Sequence, residues 1–124
     1  MKESRSKIQI PIYDSEILLI LTDDVFKSAK RIYKASGDSE LLALLTKENC
    51  GSAQFIYDDD NIGYYHLILP RVKDIFLITH EALHATFIIL HHHEVIYDVN
   101  NHDAFTYLDG FLNDTIYKRI EKIG

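Results

Sequence analysis

The chain has 124 residues, 47% hydrophobic and 26% charged, which excludes wholesale disorder and predicts one folded domain over residues 1–124. Its net charge of −6, without a large Lys/Arg cluster, disfavours nucleic-acid binding. The chain lacks an apolar run of the roughly 20 residues that span a membrane, and it starts with a charged segment instead of a signal peptide. Cys50 is its only cysteine, which suits a reducing compartment. We therefore expect a cytoplasmic protein that does not bind membranes.

The first two predicted elements are strands. From Lys7 to Tyr13, apolar and polar residues alternate around a proline, which indicates a short edge strand. Ile17 to Leu21 is a continuous aliphatic run, which favours a buried strand and leaves the start of a helix as the alternative.

A helix is predicted to follow. Thr22 to Asp24 supplies N-cap residue types, and a glycine at Gly37 is a typical place for a helix to end. The apolar positions that keep helical spacing between them are Val25, Phe26, Ala29, Ile32 and Tyr33. The next segment, Leu41 to Leu45, fits either a short helical turn or a strand.

A hairpin occupies the middle of the predicted fold. Ala53 to Tyr57 and Tyr64 to Leu69 have strand composition, and Pro70 closes the second strand. The residues between them, Asp58 to Gly63, are typical of a solvated turn. The two strands are therefore expected to pair antiparallel.

Two long helices complete the prediction. The first runs from Arg71 or Asp74 to about His92, and the second from His102 or Asp103 to Ile123. The buried stripe of the second helix is predicted to consist of Phe105, Leu108, Phe111, Leu112, Ile116 and Ile120. The order of elements predicts an α+β fold, in which a small, mostly antiparallel sheet packs against helices.

The first long helix contains the pattern HExxH, formed by His80, Glu81 and His84. Histidines at positions i and i+4 share a helix face, so both imidazoles can reach one Zn²⁺ ion at ~2.0–2.1 Å. Zinc lowers the pKa of its bound water toward ~7, and Glu81 can act as the general base that accepts the proton. The alternative is a solvated helix face without metal.

A catalytic zinc ion needs a third protein ligand. The extended pattern HExxHxxGxxH is absent, because Phe87 replaces the glycine and Leu90 the histidine, which excludes a metzincin. A ligand from the last helix is the other common arrangement. We rank Asp103 first, His102 second and Glu94 third, since Glu94 follows the end of the first long helix.

Other polar side chains are less decisive. Tyr107 lies one helical turn after Asp103, where its phenol can stabilise an oxyanion or simply fill a helix–helix contact. The run His91 to His93 suits the C-terminus of a helix, with incidental metal binding as the alternative. His66 lies on the second hairpin strand, and the sequence does not decide which way it faces.

Two segments, Ile78 to Ala85 and Asn101 to Leu108, resemble small zincin-like proteins encoded by phages and prophages, a family inferred to be metallopeptidases. The resemblance implies a minimal zincin-like domain with His80 and His84 as zinc ligands and Glu81 as general base. It also implies that Asp103 is the third ligand, where the family usually has a glutamate that is longer by one methylene.

These observations lead to three hypotheses. The first is a zinc-dependent hydrolase, specifically a metallopeptidase acting on a protein or peptide in the cytoplasm of a bacterial host. The second is a non-catalytic zinc-binding domain that recognises a partner protein. The third is a metal-free interaction module of a phage or prophage.

Overall fold

The computed structural model describes residues 1–48, 50–57, 62–100 and 102–123. The predicted turn residues at positions 58–61 lie outside this description, as does Asn101 of the second family-like segment. In chain order the elements are β1 (Glu3–Ile10), β2 (Ser15–Thr22), α1 (Val25–Ser36), α2 (Ser39–Leu44), β3 (Ser52–Tyr57), β4 (Gly63–Pro70), α3 (Ile75–His92) and α4 (Asp103–Ile123).

The strands form one mixed sheet in the order β1-β2-β4-β3. β1 pairs antiparallel with β2 at one edge, so an edge strand is present, but it runs from Glu3 to Ile10 and ends before the predicted Tyr13. β3 pairs antiparallel with β4, which confirms the predicted hairpin. The central pair, β2 and β4, is parallel, with α1, α2 and β3 in the crossover between them. Both central strands are rich in aliphatic residues because helices cover both of their faces.

Helices pack on opposite faces of the sheet. α1 covers one face, where Ala29, Ile32 and Tyr33 pack against Ile20 and Ile68 of the central strands. α3 and α4 cover the other face over a larger set of buried side chains that includes Leu19 and Leu67 of the same strands. The alternation of side chains along β2 and β4 therefore supplies two separate apolar cores, one for each layer of helices.

Local side-chain chemistry fixes where the helices begin and end. Asp24 accepts a hydrogen bond from the amide of Lys27 at the start of α1, as the N-cap prediction required. Gly37 ends the helix with a left-handed φ of 75°. The ambiguous segment after it is helical and forms α2. Asp74 caps α3 by accepting from the amide of Leu77.

α3 and α4 run antiparallel. The rings of Phe87 and Phe105 lie 5.2 Å apart near the C-terminus of α3 and the start of α4, and Lys73 lies 3.9 Å from Glu121 at the opposite end of the pair. The predicted stripe of α4 is buried except for Phe111, which is half-buried against the same core. Among the described residues, no helix is long and apolar enough to cross a membrane.

Two glycines with open space around them should respond oppositely to alanine. A Cβ atom at Gly110, inside α4, or at Gly37 would meet no atom within 4 Å, but only Gly37 has a positive φ. Gly110→Ala is expected to stabilise the fold by about 0.5–1 kcal/mol, and Gly37→Ala to destabilise it by about 1–2 kcal/mol. Urea unfolding of the two variants and the wild type measures both changes. Shifts of the same sign would contradict the assigned backbone conformations.

Candidate metal centre

The two histidines of the HExxH pattern point their Nε2 atoms at each other from adjacent turns of α3. The atoms of His80 and His84 are 3.1 Å apart. A tetrahedral ion with bonds of ~2.0–2.1 Å holds two ligand nitrogens about 3.4 Å apart, so the pair needs only a small adjustment to share one ion. The geometry of the two histidines therefore fits two of the ligand positions of a zinc ion.

Without a metal, the same contact requires a proton between the rings. Two nitrogen lone pairs repel at this distance, so one Nε2 must carry a hydrogen and donate it to the other. Phe76 stacks against the ring of His80, with ring centroids 6.0 Å apart and planes inclined by 28°. This contact helps to hold His80 in the orientation that meets His84, although both histidines are exposed.

Glu81 is buried beside the exposed histidines. Only 7% of the residue is accessible, and its Oε1 lies 3.9 Å from Nε2 of His80. Burial raises the pKa of Glu81, and the nearby His84 and His80 oppose that rise. The carboxyl group is thus held ready to take up a proton next to a potential metal position.

Gly51 makes the close approach of Glu81 possible. A Cβ atom at position 51 would lie 2.8 Å from Cγ of Glu81, closer than two carbon atoms can pack. The residue directly precedes β3, so the glutamate side chain lies against the backbone at the start of this strand. Gly51 was not predicted from the sequence, because its importance depends on a contact with Glu81, 30 positions away in the chain.

A cavity of about 300 Å³ lies in front of Glu81 and the two histidines. Its other walls come from the edge strand β3, from Tyr33 of α1, and from the leucines in and after α2. The hydroxyl of Tyr33 is hydrogen-bonded to that of Ser52, which connects α1 to the edge strand. Burial raises the pKa of Tyr33, and the negative charge of Glu81 adds to this rise.

Asp103 is not brought to this cavity. It is the first residue of α4, its side chain is fully exposed, and its Oδ1 lies 3.9 Å from Nδ1 of His102. Phe105 points into the core, and residues two positions away on a helix lie about 160° away around its axis, so Asp103 and Tyr107 both face outward. Glu94 is exposed beyond the end of α3, as expected. Within the described parts of the chain, no group of three His, Cys, Asp or Glu residues is arranged to hold a metal.

The remaining histidines of α3 belong to its C-terminus, as predicted. His93 is the C-cap residue, and its Nδ1 lies 2.8 Å from the carbonyl oxygen of Ile89, to which it donates. Nδ1 of His92 is 3.0 Å from the hydroxyl of Tyr65. His66 lies on the sheet face that α1 covers, whereas its neighbours Tyr65 and Leu67 face α3. It is therefore separated from the HExxH residues by the sheet.

The buried carboxyl group should cost the metal-free protein stability at neutral pH. Because its folded pKa is raised, Glu81 favours folding at low pH, and this contribution is lost as the pH rises through that pKa. Glu81→Gln is thus expected to raise the Tm of chelator-treated protein by roughly 2–4 °C at pH 7, and the difference should vanish near about pH 4. Thermal unfolding at both pH values tests this, with the exposed Glu94→Gln as control. A Tm for Glu81→Gln below that of the wild type at pH 7 would contradict it.

Comparison of this chain with protein-family models, curated proteins and solved structures finds no match. The similarity of Ile78 to Ala85 and of Asn101 to Leu108 to zincin-like proteins therefore stays a prediction.

Proposed function

We propose that this protein is a zinc-dependent hydrolase, specifically a small metallopeptidase of the zincin type. The observation that carries the proposal is the pair of Nε2 atoms 3.1 Å apart, with the carboxyl group of Glu81 buried beside them. An ordinary solvated helix face would not hold a buried carboxyl group against a glycine next to two converging imidazoles.

In this proposal the two histidines bind the metal and Glu81 transfers the proton. His80 and His84 hold the zinc ion, which when bound supplies a Lewis acid and a water molecule of lowered pKa. Glu81 accepts a proton from the attacking water and later delivers it to the departing amine, and its raised pKa suits both transfers. Tyr33 lines the cavity with its phenol, whereas the phenol of Tyr107 is exposed on α4.

The surroundings of the cavity suit an extended polypeptide. Among the described residues β3 pairs only with β4, so its outer edge offers unpaired backbone groups next to Glu81. On α3, the apolar side chains of Phe76, Leu83 and Phe87 are 75%, 44% and 44% exposed and flank the histidines. Backbone pairing and apolar contact together favour an unfolded protein segment over a small metabolite.

Asp103 stays our candidate for the third ligand. Its use requires the first turn of α4 to approach His84. The connecting residues 96–100 are all exposed, and the buried ring of Phe105 in that turn is the core contact that such a shift has to rearrange. Aspartate is a normal oxygen ligand of zinc but reaches less far than the glutamate usual at this position in the resembling family. The first turn is therefore the part of the site that metal binding has to rearrange.

Metal content tests the ligand set. Wild-type protein purified without an affinity tag is expected to hold about one equivalent of zinc, and His84→Ala and Asp103→Ala to lose it. Asp114→Ala, which removes an exposed carboxylate from the same helix, is the matched control and should keep the metal. Elemental analysis measures these four proteins and His102→Ala. Retention of zinc by Asp103→Ala together with its loss from His102→Ala would transfer the third-ligand role to His102.

Activity tests the role of Glu81 separately. The zinc-loaded wild type is expected to cleave an unstructured polypeptide such as casein, and Glu81→Gln to be at least ~10²-fold slower with its zinc retained. The loss follows from the missing proton acceptor, not from the missing metal. Equal cleavage rates for the wild type and the zinc-loaded variant would exclude Glu81 as the general base.

The exposed position of Asp103 favours one alternative, a non-catalytic zinc-binding domain that recognises a partner protein. In that case the fourth position on the ion is filled by a protein side chain, whereas a hydrolase keeps it open for water. The absorption spectrum of the cobalt-substituted protein, with and without added azide, separates the two. If zinc is absent from every variant and a chelator leaves the Tm unchanged, the metal-free interaction module is supported instead.

A further inference from the structure

A second cavity of about 300 Å³ lies on the other side of the sheet from the HExxH residues. Arg5 of β1, Arg31 and Ser36 of α1, and His66 of β4 supply its polar lining. Ile32, Ala35 and Ile56 form its apolar wall, and Tyr57 also lines it. The ring of Tyr57 lies 5.3 Å from that of Phe55, which packs against the core on the opposite face of the sheet. Its size is at the lower limit of small-molecule sites, about 300 Å³.

The two arginines share a single carboxylate. Glu3 accepts a bond of 3.0 Å from Nε of Arg5, a bond from Arg31, and one of 2.7 Å from the hydroxyl of Ser28. Burial alone would raise the pKa of Glu3, but the bonds from Ser28, Arg31 and Arg5 outweigh it and lower the pKa. The carboxylate thus stays ionised, and two positive charges face one negative charge.

Arg5 and Arg31 together carry one more positive charge than Glu3 neutralises, and both line the cavity. Among the described residues that line it, none is an aspartate or glutamate, in a chain whose net charge is −6. The bonds to Glu3 use Nε of Arg5 and one terminal nitrogen of Arg31, and both side chains are half-exposed. A guanidinium group has further N–H donors in a planar fork that matches the oxygens of carboxylates and phosphates.

His66 completes the polar lining as a neutral imidazole. Burial lowers its pKa, and the charge of Arg5 adds to this effect against an opposing hydrogen bond with the carbonyl of Tyr64. Arg31 lines the same cavity, and Lys7 and Glu16 line a neighbouring cavity that His66 also borders. An anion placed next to Arg5 would offset the positive charge that His66 experiences.

We propose that this cavity binds a small organic anion, with a carboxylate or phosphate monoester on Arg5 and Arg31 and a flat apolar body on Ile32 and Ile56. The cationic end and the apolar wall are joined in one cavity, so the ligand class carries both features. The site is independent of the HExxH residues, and its occupation does not require zinc.

Phenyl phosphate, benzoate and inorganic phosphate are the probes, titrated into the chelator-treated full chain by calorimetry. Phenyl phosphate or benzoate is expected to bind at least tenfold more tightly than inorganic phosphate, because only the organic anions cover the apolar wall. The order of the two organic anions identifies the preferred charged group. Arg31→Gln should weaken binding at least tenfold, while Lys34→Gln, which removes the same charge from the same helix outside the cavity, should bind as the wild type does.

The imidazole of His66 gives a second readout that needs no arginine variant. Its ring proton signals, assigned with His66→Asn, are expected to shift on saturation with the organic anion, and those of His80 and His84 to stay unchanged. The proposal is overturned by an absence of saturable binding to the wild type, by equal affinities of wild type and Arg31→Gln, or by unchanged His66 signals at saturation.

Discussion

The parallel pairing of β2 with β4 is the constraint on which the rest of the structure depends. Because the two strands lie at the centre of the sheet, each must be apolar on both faces, and each face then recruits its own helical layer. α1 packs on one side and α3 with α4 on the other. The same pairing leaves β3 at an edge of the sheet, where it pairs only with β4 among the described residues. The face of α3 with the histidines therefore borders an edge strand.

The candidate metal centre draws on three different levels of this organisation. The convergence of His80 and His84 follows from helix geometry alone. The burial of Glu81 depends on packing, since it requires the backbone at Gly51 to pass close to α3. The cavity depends on topology, because Tyr33 belongs to the opposite helical layer and reaches the site only around the edge of the sheet. The burial of the Glu81 carboxyl group is unfavourable for stability, and the same burial raises its pKa.

What the sequence could and could not predict follows from the same levels. The helix ends at Asp24, Gly37 and Asp74 are decided by chemistry within four residues. The sequence indicated the first two and left the third open between Arg71 and Asp74. The hairpin was equally local. The parallel pairing and the contact of Gly51 with Glu81 join segments far apart in the chain, and no periodicity encodes them. The position of Asp103 was argued from the length of the connecting segment, which limits how far the chain can reach but not which way the side chain faces.

The Arg5–Arg31 pair was missed because its residues lie 26 positions apart on a strand and a helix.

The free edge of β3 has a consequence for how the protein behaves when concentrated. Its six residues, Ser52 to Tyr57, carry no charge, and charged side chains are the usual protection of an exposed strand against pairing with another copy. A second molecule that adds its own edge strand there would occupy the same backbone groups that we assign to the substrate. Self-association through β3 and the proposed substrate binding are then mutually exclusive. A high concentration of the protein would therefore inhibit substrate binding competitively.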